Sequence, residues 1–354
     1  MTQLIAFDAQ RTRAQAAALG FDQCGIIPAA PAPHLDAYLR WIEAGMHGSM
    51  SYLARPDRQV RRRDPAVILP GVCALVIVGL EYGSTLIPPD VFNDPARGRI
   101  SNYAWGSDYH DVMLPRLNAL AEWLRAESGQ DVASRAYVDT GAILERDHAQ
   151  QAGLGFIGKN TMLIHPRRGS YLFLGEVLTT LPFDVYDQPG RETMCGTCTR
   201  CLRACPTAAF PQPYVLDARR CISFLTIELK GSIPPALRPL LGNRVYGCDD
   251  CQTACPFTRK FTHPTRENAF LPADIDRAAP RLADLLDLDE AGFQAQYGST
   301  PIARIKRERM VRNACVAAGN SGLPEFGLQL ERLAGKDESA LVREHAAWAL
   351  RQLG

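Results

Sequence analysis

Residues 195–206 read CGTCTRCLRACP, which spaces Cys195, Cys198, Cys201 and Cys205 as C-x2-C-x2-C-x3-C with Pro206 behind the last. That is the spacing of bacterial ferredoxins. Three thiolates on one tight loop cap one face of an iron-sulfur cubane, and the fourth, carried onto a helix start, reaches a neighbouring cluster. A four-cysteine zinc site would be satisfied by C-x2-C pairs alone; the third cysteine at the same interval and the following proline favour iron and sulfur. A second run at 248–256, CDDCQTACP, supplies Cys248, Cys251 and Cys255 but has Val245 where a first cysteine would stand. Cys221 is the only cysteine between the runs, and adding it brings the count to eight, enough for two clusters. With the last cysteine of each run crossing over, one cluster takes Cys195, Cys198, Cys201 and Cys255. The other takes Cys205, Cys221, Cys248 and Cys251.

The rest of the chain agrees with a reducing compartment. Eleven cysteines behind an N-terminus whose apolar character is broken by Asp8, Arg11 and Arg13 do not read as an exported disulfide framework. A cytoplasmic protein is expected. Cys24, Cys73 and Cys315 stand alone among apolar neighbours, where a thiol usually serves as a small core residue. The 354 residues suffice for about two domains, and 46% hydrophobic with 22% charged residues excludes disorder and coiled coil. The longest apolar run, Val67 to Leu80, contains Pro70 and Gly71 and is too short to span a bilayer, so it reads as a buried strand. A net charge of +1 gives no bulk pull toward a polyanion; such a partner would have to be met by a local patch.

Three segments follow from the patterning, in an α+β chain. Residues 1–185 alternate helical stretches (34–44, 108–126) with strand-like ones (72–80, 171–178). Residues 186–265 carry the cysteine runs with little periodicity, as expected where metal organises the fold. Residues 266–354 become helical, and MVRNACVAAG at 310–319 resembles LVREHAAWAL at 341–350, a spacing that suggests a short stack of HEAT-like helical pairs.

Three stretches together, DTGAILERDHAQQAGLGFIGKNTMLIHPRRGSYLFLGE at 139–176, the cysteine runs with CISFLTIE between them, and YAWGSDYHDVM at 103–113, resemble the epoxyqueuosine reductases over most of the chain. The resemblance implies a nitroreductase-like cobalamin domain, a ferredoxin-like domain with two 4Fe-4S clusters and a helical tRNA-binding tail. It implies the last step of queuosine synthesis: removal of the epoxide oxygen from epoxyqueuosine at the wobble position of tRNA, in a monomer fed by an external low-potential electron donor, with no membrane partner. It makes Asp139, which opens D-T-G-x-x-x-E-R, the catalytic acid, and Arg146 closes that motif; Ala142 stands where the family usually has proline. Gly158, Lys159, Asn160, Thr161 and, later, Ser170 match the segment that wraps the corrin and its nucleotide tail. Tyr103, Tyr109 and His110 match a segment near the substrate face. No D-x-H-x-x-G motif is present, in keeping with cobalt held without a histidine beneath it.

Other readings of the same residues stay open at this point. Asp139 could cap the helix begun by ILERDHAQQ, and Tyr109 and His110 could be boundary residues of an amphipathic helix. The string Gly153, Gly155, Gly158 satisfies G-x-G-x-x-G without the strand before it that nicotinamide binding requires. A corrinoid reductive dehalogenase or a plain electron-transfer iron-sulfur protein would share the cysteine runs. For the RNA, ARIKRERMVR offers Arg304, Lys306 and Arg307, followed by Arg309 and Arg312, as a helical face that could follow a phosphate backbone, or as a solvated face paired with acids.

Overall fold

The computed structural model describes residues 4–84 and 87–354; Met1–Gln3 of the N-terminal reading lie outside them. A four-stranded antiparallel sheet, in the order β1-β2-β7-β4, organises the first segment. It is formed by β1 (Gln23–Pro28), β2 (Ala74–Glu81), β7 (Leu172–Thr179) and β4 (Ser134–Tyr137), while β5 (Phe156–Ile157) and β6 (Leu163–Ile164) form a separate antiparallel pair. The long apolar run becomes strand only from Ala74, because Pro70 and Gly71 turn the chain before it. Every residue of β2 is buried, since both faces are covered and alternate side chains enter different cores. Val76, Val78 and Leu80 meet Met113, Leu117, Leu120 and Leu124, the inward stripe of the Tyr109–Ser128 helix. Leu75 and Ile77 meet Ala149 of the Glu145–Gln151 helix on the other side. The Tyr109–Ser128 helix starts at Asp108, whose carboxylate accepts the His110 N–H, and stops at Gly129 in the left-handed region.

The cysteine-bearing segment is not organised by metal alone. An apolar core runs from Ile100 and Trp105 through Ile222, Leu225, Leu241 and Val245 into Leu282, Met310, Val316 and Ala349. Residues 218–246 therefore pack into the C-terminal helices, and a short parallel pair joins β3 (Arg99–Ile100) to β8 (Arg244–Tyr246). Val245, at the position lacking a cysteine, is fully buried in that core. The similar stretches 310–319 and 341–350 fall on the helices Lys306–Ser321 and Ala340–Leu353. These approach closely enough that a Cβ on Gly319 would meet the Ala349 Cα at 2.8 Å. Of the isolated cysteines, Cys315 is buried and Cys24 half-buried, whereas Cys73 is exposed, because it precedes β2 in the turn that follows Gly71.

Candidate active site and cysteine centres

The eight cysteines gather into two groups of four. Burial and the neighbouring Cys195, Cys255 and Cys198 push the Cys201 thiol upward. Cys251 is raised by burial and by Cys248, Cys221 and Cys205, and Cys221 in turn by burial and Cys205. Cys201 thus neighbours Cys195, Cys198 and Cys255, and Cys251 neighbours Cys205, Cys221 and Cys248. Backbone N–H groups already point at two of the sulfurs, Lys159 N to Cys195 Sγ at 3.4 Å and Ala209 N to Cys205 Sγ at 3.3 Å. Among the described residues no three His, Cys, Asp or Glu side chains converge on a single-ion geometry.

The Cys221, Cys248, Cys251 group lies against the aromatic wall of a second site. Asp249 accepts hydrogen bonds from Ser101 Oγ and from the Asn102 N–H, tying the cysteine turn to the Asn102–Ala104 segment. Gly247, at φ +69°, permits the approach: a Cβ there would lie 2.5 Å from that of Ser101. Tyr103 donates to the Tyr246 hydroxyl at 3.0 Å, and Tyr246 donates to the Pro301 carbonyl at 2.8 Å. Tyr109 and Tyr103 meet edge to face, and Tyr109 stacks on Phe173 with ring centroids 4.3 Å apart.

The Tyr109 hydroxyl donates to Asp139 Oδ2 at 3.1 Å. Burial and the adjacent Asp139 push the Tyr109 phenol far up, so it remains the donor. Asp139 follows β4, is exposed and sits at φ +56°, a conformation that costs a non-glycine residue about 1–3 kcal/mol. Its N–H donates to Glu145 Oε1 at 2.8 Å. The capping alternative fails here: the Glu145–Gln151 helix begins after Leu144 with no side-chain cap. Glu145 has its carboxyl pushed well up by burial and then by Asp139 and Glu176, which favours the neutral acid. Behind it His148 Nδ1 lies 3.3 Å from the fully buried Glu176 carboxylate.

Several charged groups surround this carboxyl. His110 stacks on Tyr109 and lies 2.7 Å from Asp108, which raises the imidazole pKa. Arg304 pairs with Glu228 at 2.7 Å, and its charge acts on Tyr103, Asp108 and His110. Tyr52, half-exposed, is pushed up to about 12 by burial and then by Glu228, with Arg304, Asp139 and Arg62 also acting on it. Glu145 stood inside the quoted motif without a role. Glu228 likewise closed the quoted CISFLTIE without a role, whereas Tyr52 carried no local signal at all, since only tertiary packing brings the Ser51–Ala54 turn to Glu228 and Asp139.

The segment matched to corrin wrapping spends its side chains elsewhere. Lys159 donates its ammonium to the carbonyls of Gly196 (2.6 Å) and Cys198 (3.0 Å), and the buried Asn160 amide donates to the Cys251 carbonyl at 3.1 Å. Ser170, also buried, bonds Gln252 and Thr258. These three hold the cysteine loops against the sheet, and the backbone of the turn is spent internally too: the Gly158 N–H donates to the Met162 carbonyl, the Thr161 N–H to the Gly158 carbonyl, and the Lys159 carbonyl accepts the Tyr214 N–H. Arg146 braces that turn through the Thr161 carbonyl at 2.6 Å.

The basic stretch also departs from expectation. Arg307 is bound to the Leu288 carbonyl and Asp337, Arg309 to carbonyls including that of Ile227, and Arg312 is fully buried against the Leu225, Leu229 and Gly231 carbonyls. Lys306 and Arg304 are the exposed members, and Arg304 belongs to the Asp139 surroundings. A continuous phosphate-facing row is absent because the helix uses its cations to grip the carbonyls of the cysteine-bearing segment.

Two family models match: a 4Fe-4S double cluster binding domain over residues 194–258 and epoxyqueuosine reductase QueG, DUF1730, over residues 62–140. The epoxyqueuosine reductase of Pseudomonas aeruginosa is 44% identical over 341 residues, covering 95% of this chain and 92% of that protein. A crystal structure of epoxyqueuosine reductase with an epoxyqueuosine-modified tRNA-Tyr stem loop superposes with a TM-score of 0.89 at 34% identity, over 98% of this chain and 90% of the other. The Bacillus subtilis enzyme, solved with its catalytic aspartate loop swung out of the active site, gives 0.87 at 33% identity, over 98% and 90%. With its paired cysteine groups beside a braced aspartate and 33–44% identity to these enzymes over nearly its full length, the chain belongs to the epoxyqueuosine reductase family.

Proposed function

We propose that this chain reduces epoxyqueuosine to queuosine at the wobble position of tRNA, with Asp139 as the proton donor. Converting an epoxide to an alkene consumes two electrons and two protons and releases one water. The oxygen leaves well only when protonated, so an acid must stand at the substrate face. The observation that carries the reading is Asp139: its carboxyl is exposed, fixed through its own backbone by Glu145 and oriented by the Tyr109 hydroxyl. His110 and Arg304 supply positive charge beside it for a polyanionic substrate.

The donor sets suit the implied cofactors. Two groups of four thiols match two 4Fe-4S clusters, one on Cys195, Cys198, Cys201 and Cys255 and one on Cys205, Cys221, Cys248 and Cys251. For the corrinoid, Tyr137 pairs with Glu176, and Leu174 and Leu172 follow on that face of β7 at two-residue intervals. All three side chains are half-exposed, an apolar shelf beside the Asp139 loop. Cobalamin bound there supplies a strongly reducing cobalt centre capable of opening the epoxide. Tyr103, Asp139, Arg146 and Thr161 would line it, while the buried Gly158, with Lys159, Asn160 and Ser170, shapes the turn from behind. We assign 1–185 to the corrinoid domain, 186–265 to the cluster domain and 266–354 to a HEAT-like, tRNA-contacting region of a cytoplasmic monomer. No helix among the described residues is long and apolar enough to cross a membrane.

The test is anaerobic purification from cobalamin-fed cells, an absorption spectrum, and incubation with epoxyqueuosine-containing tRNA and a reductant. Corrinoid and iron-sulfur bands together, with a nucleoside digest lighter by one oxygen atom, support the reading. Unchanged nucleoside from protein carrying both cofactors overturns it.

A further inference from the structure

The two cysteine groups differ in depth. Around the Cys205, Cys221, Cys248, Cys251 group, Thr207, Ala209, Ile222 and Tyr246 are buried, and Tyr246 leads through Tyr103 toward Asp139. Around the Cys195, Cys198, Cys201, Cys255 group, Cys255 itself and Thr258 are buried, but the loop side is open: Gly196, Thr197 and Pro256 are exposed, and Met194 is 36% exposed. Electrons entering from outside therefore meet the shallow group first.

The rim of that shallow group is strongly basic. Arg200 and Arg203 lie on the Arg200–Ala204 helix, which carries Cys201, and Arg259 and Lys260 on the Pro256–Phe261 helix, which follows Cys255. Arg191 begins the approach to Cys195. All five are exposed, none is paired with an acid among the described residues, and the same segments hold a single exposed acid, Glu192. A chain of net charge +1 thus concentrates unpaired cations where its redox centre comes nearest the surface. Such a rim governs association rate and salt dependence by attracting an oppositely charged partner.

We propose that this face docks an acidic one-electron carrier protein that feeds the reaction. The inference rests on the function proposed above, which needs two electrons per epoxide. At each docking the carrier's flavin or iron-sulfur group loses one electron to the cysteine-held centre; two dockings and two protons convert one epoxide to one alkene and water. The carrier is favoured over RNA as occupant because the cations ring the cysteine group that is not the one joined through Tyr246 and Tyr103 to the Asp139 cleft.

The test uses the fully loaded enzyme and a triple variant, Arg203→Glu, Arg259→Glu, Lys260→Glu, with an acidic flavodoxin as probe. Wild type should bind flavodoxin with a Kd that weakens steeply with salt, and the variant should bind at least about tenfold more weakly with a flattened salt slope. Iron content, tRNA affinity and turnover driven by titanium(III) citrate should be unchanged in the variant. An unchanged flavodoxin Kd, or no flavodoxin binding by wild type, overturns the proposal. A matching loss of tRNA affinity in the variant assigns the face to RNA instead. Failure of wild type to turn over with titanium(III) citrate would count against the proposed function, whereas the flavodoxin Kd is read independently of it.

Discussion

Glu145 Oε1 accepts the backbone N–H of Asp139 at 2.8 Å, so the acid and the residue that holds it lie six positions apart in one motif. The bond fixes a backbone that is itself unfavourable, Asp139 at φ +56°. A neutral hydrogen bond contributes about 0.5–1.5 kcal/mol, comparable to the cost of that conformation. Because burial favours the protonated form of Glu145, an amide should replace it. Glu145→Gln is expected to keep kcat within a few-fold. Glu145→Ala, which removes the acceptor, should lower kcat by about tenfold to a hundredfold through misplacement of the carboxyl and speed hydrogen exchange at the Asp139 amide. Slow exchange in Glu145→Ala would show that something else holds the loop.

Asp139→Asn separates proton donation from placement. The amide oxygen can still accept from the Tyr109 hydroxyl, and the backbone bond to Glu145 is untouched. Turnover is expected to fall by roughly a hundredfold or more, with tRNA affinity and cofactor spectra as in wild type. Single-turnover measurement of queuosine formation decides it; near-normal rates would remove Asp139 as the acid.

Cys221 lies outside both cysteine runs yet neighbours Cys205 and Cys251. Replacing it with alanine should cost one cluster and spare the other, lowering iron from about eight to about four per chain by cluster stoichiometry. Full iron retention would break the assigned set.

What could be read from the residues divides along physical lines. The double-cluster segment was legible because thiolate spacing is local chemistry, and Cys221 stood out because a count of seven leaves a ligand missing. Periodicity located the Tyr109–Ser128 helix, which buries a regular stripe, and continuous apolar runs located β2 and β7, which are buried along most of their length. Charge misled where burial was unknown: Arg307 and Arg312 look like an RNA-facing row, but carbonyls at the ends of irregular turns capture them. Turns with few ladder hydrogen bonds leave acceptors that such cations satisfy, and no spacing in the sequence announces which turn will lie nearby. Tyr52 and Glu228 reach the Asp139 cleft the same way, by packing alone.

His345 makes the C-terminal contact sensitive to acid. On the Ala340–Leu353 helix it is fully buried, with Nδ1 2.7 Å from the Leu341 carbonyl and Nε2 accepting the Ile233 N–H at 3.2 Å, an arrangement that needs the neutral ring. Burial lowers its pKa to about 4; Arg238 and Arg312 act in the same direction, and the Leu341 carbonyl and Glu344 oppose them. The unfolded ring, near 6.5, takes up its proton first as pH falls, so this contribution is complete above about 6.5 and is lost progressively down to about 4. At pH 5 the loss is on the order of 2 kcal/mol. His345→Leu should be less stable than wild type at pH 7.5 because the Ile233 N–H loses its acceptor, but its melting temperature should fall less than that of wild type between pH 7.5 and pH 5. Melting of both proteins under anaerobic conditions at the two pH values measures this, and equal falls would show that His345 does not carry the acid sensitivity.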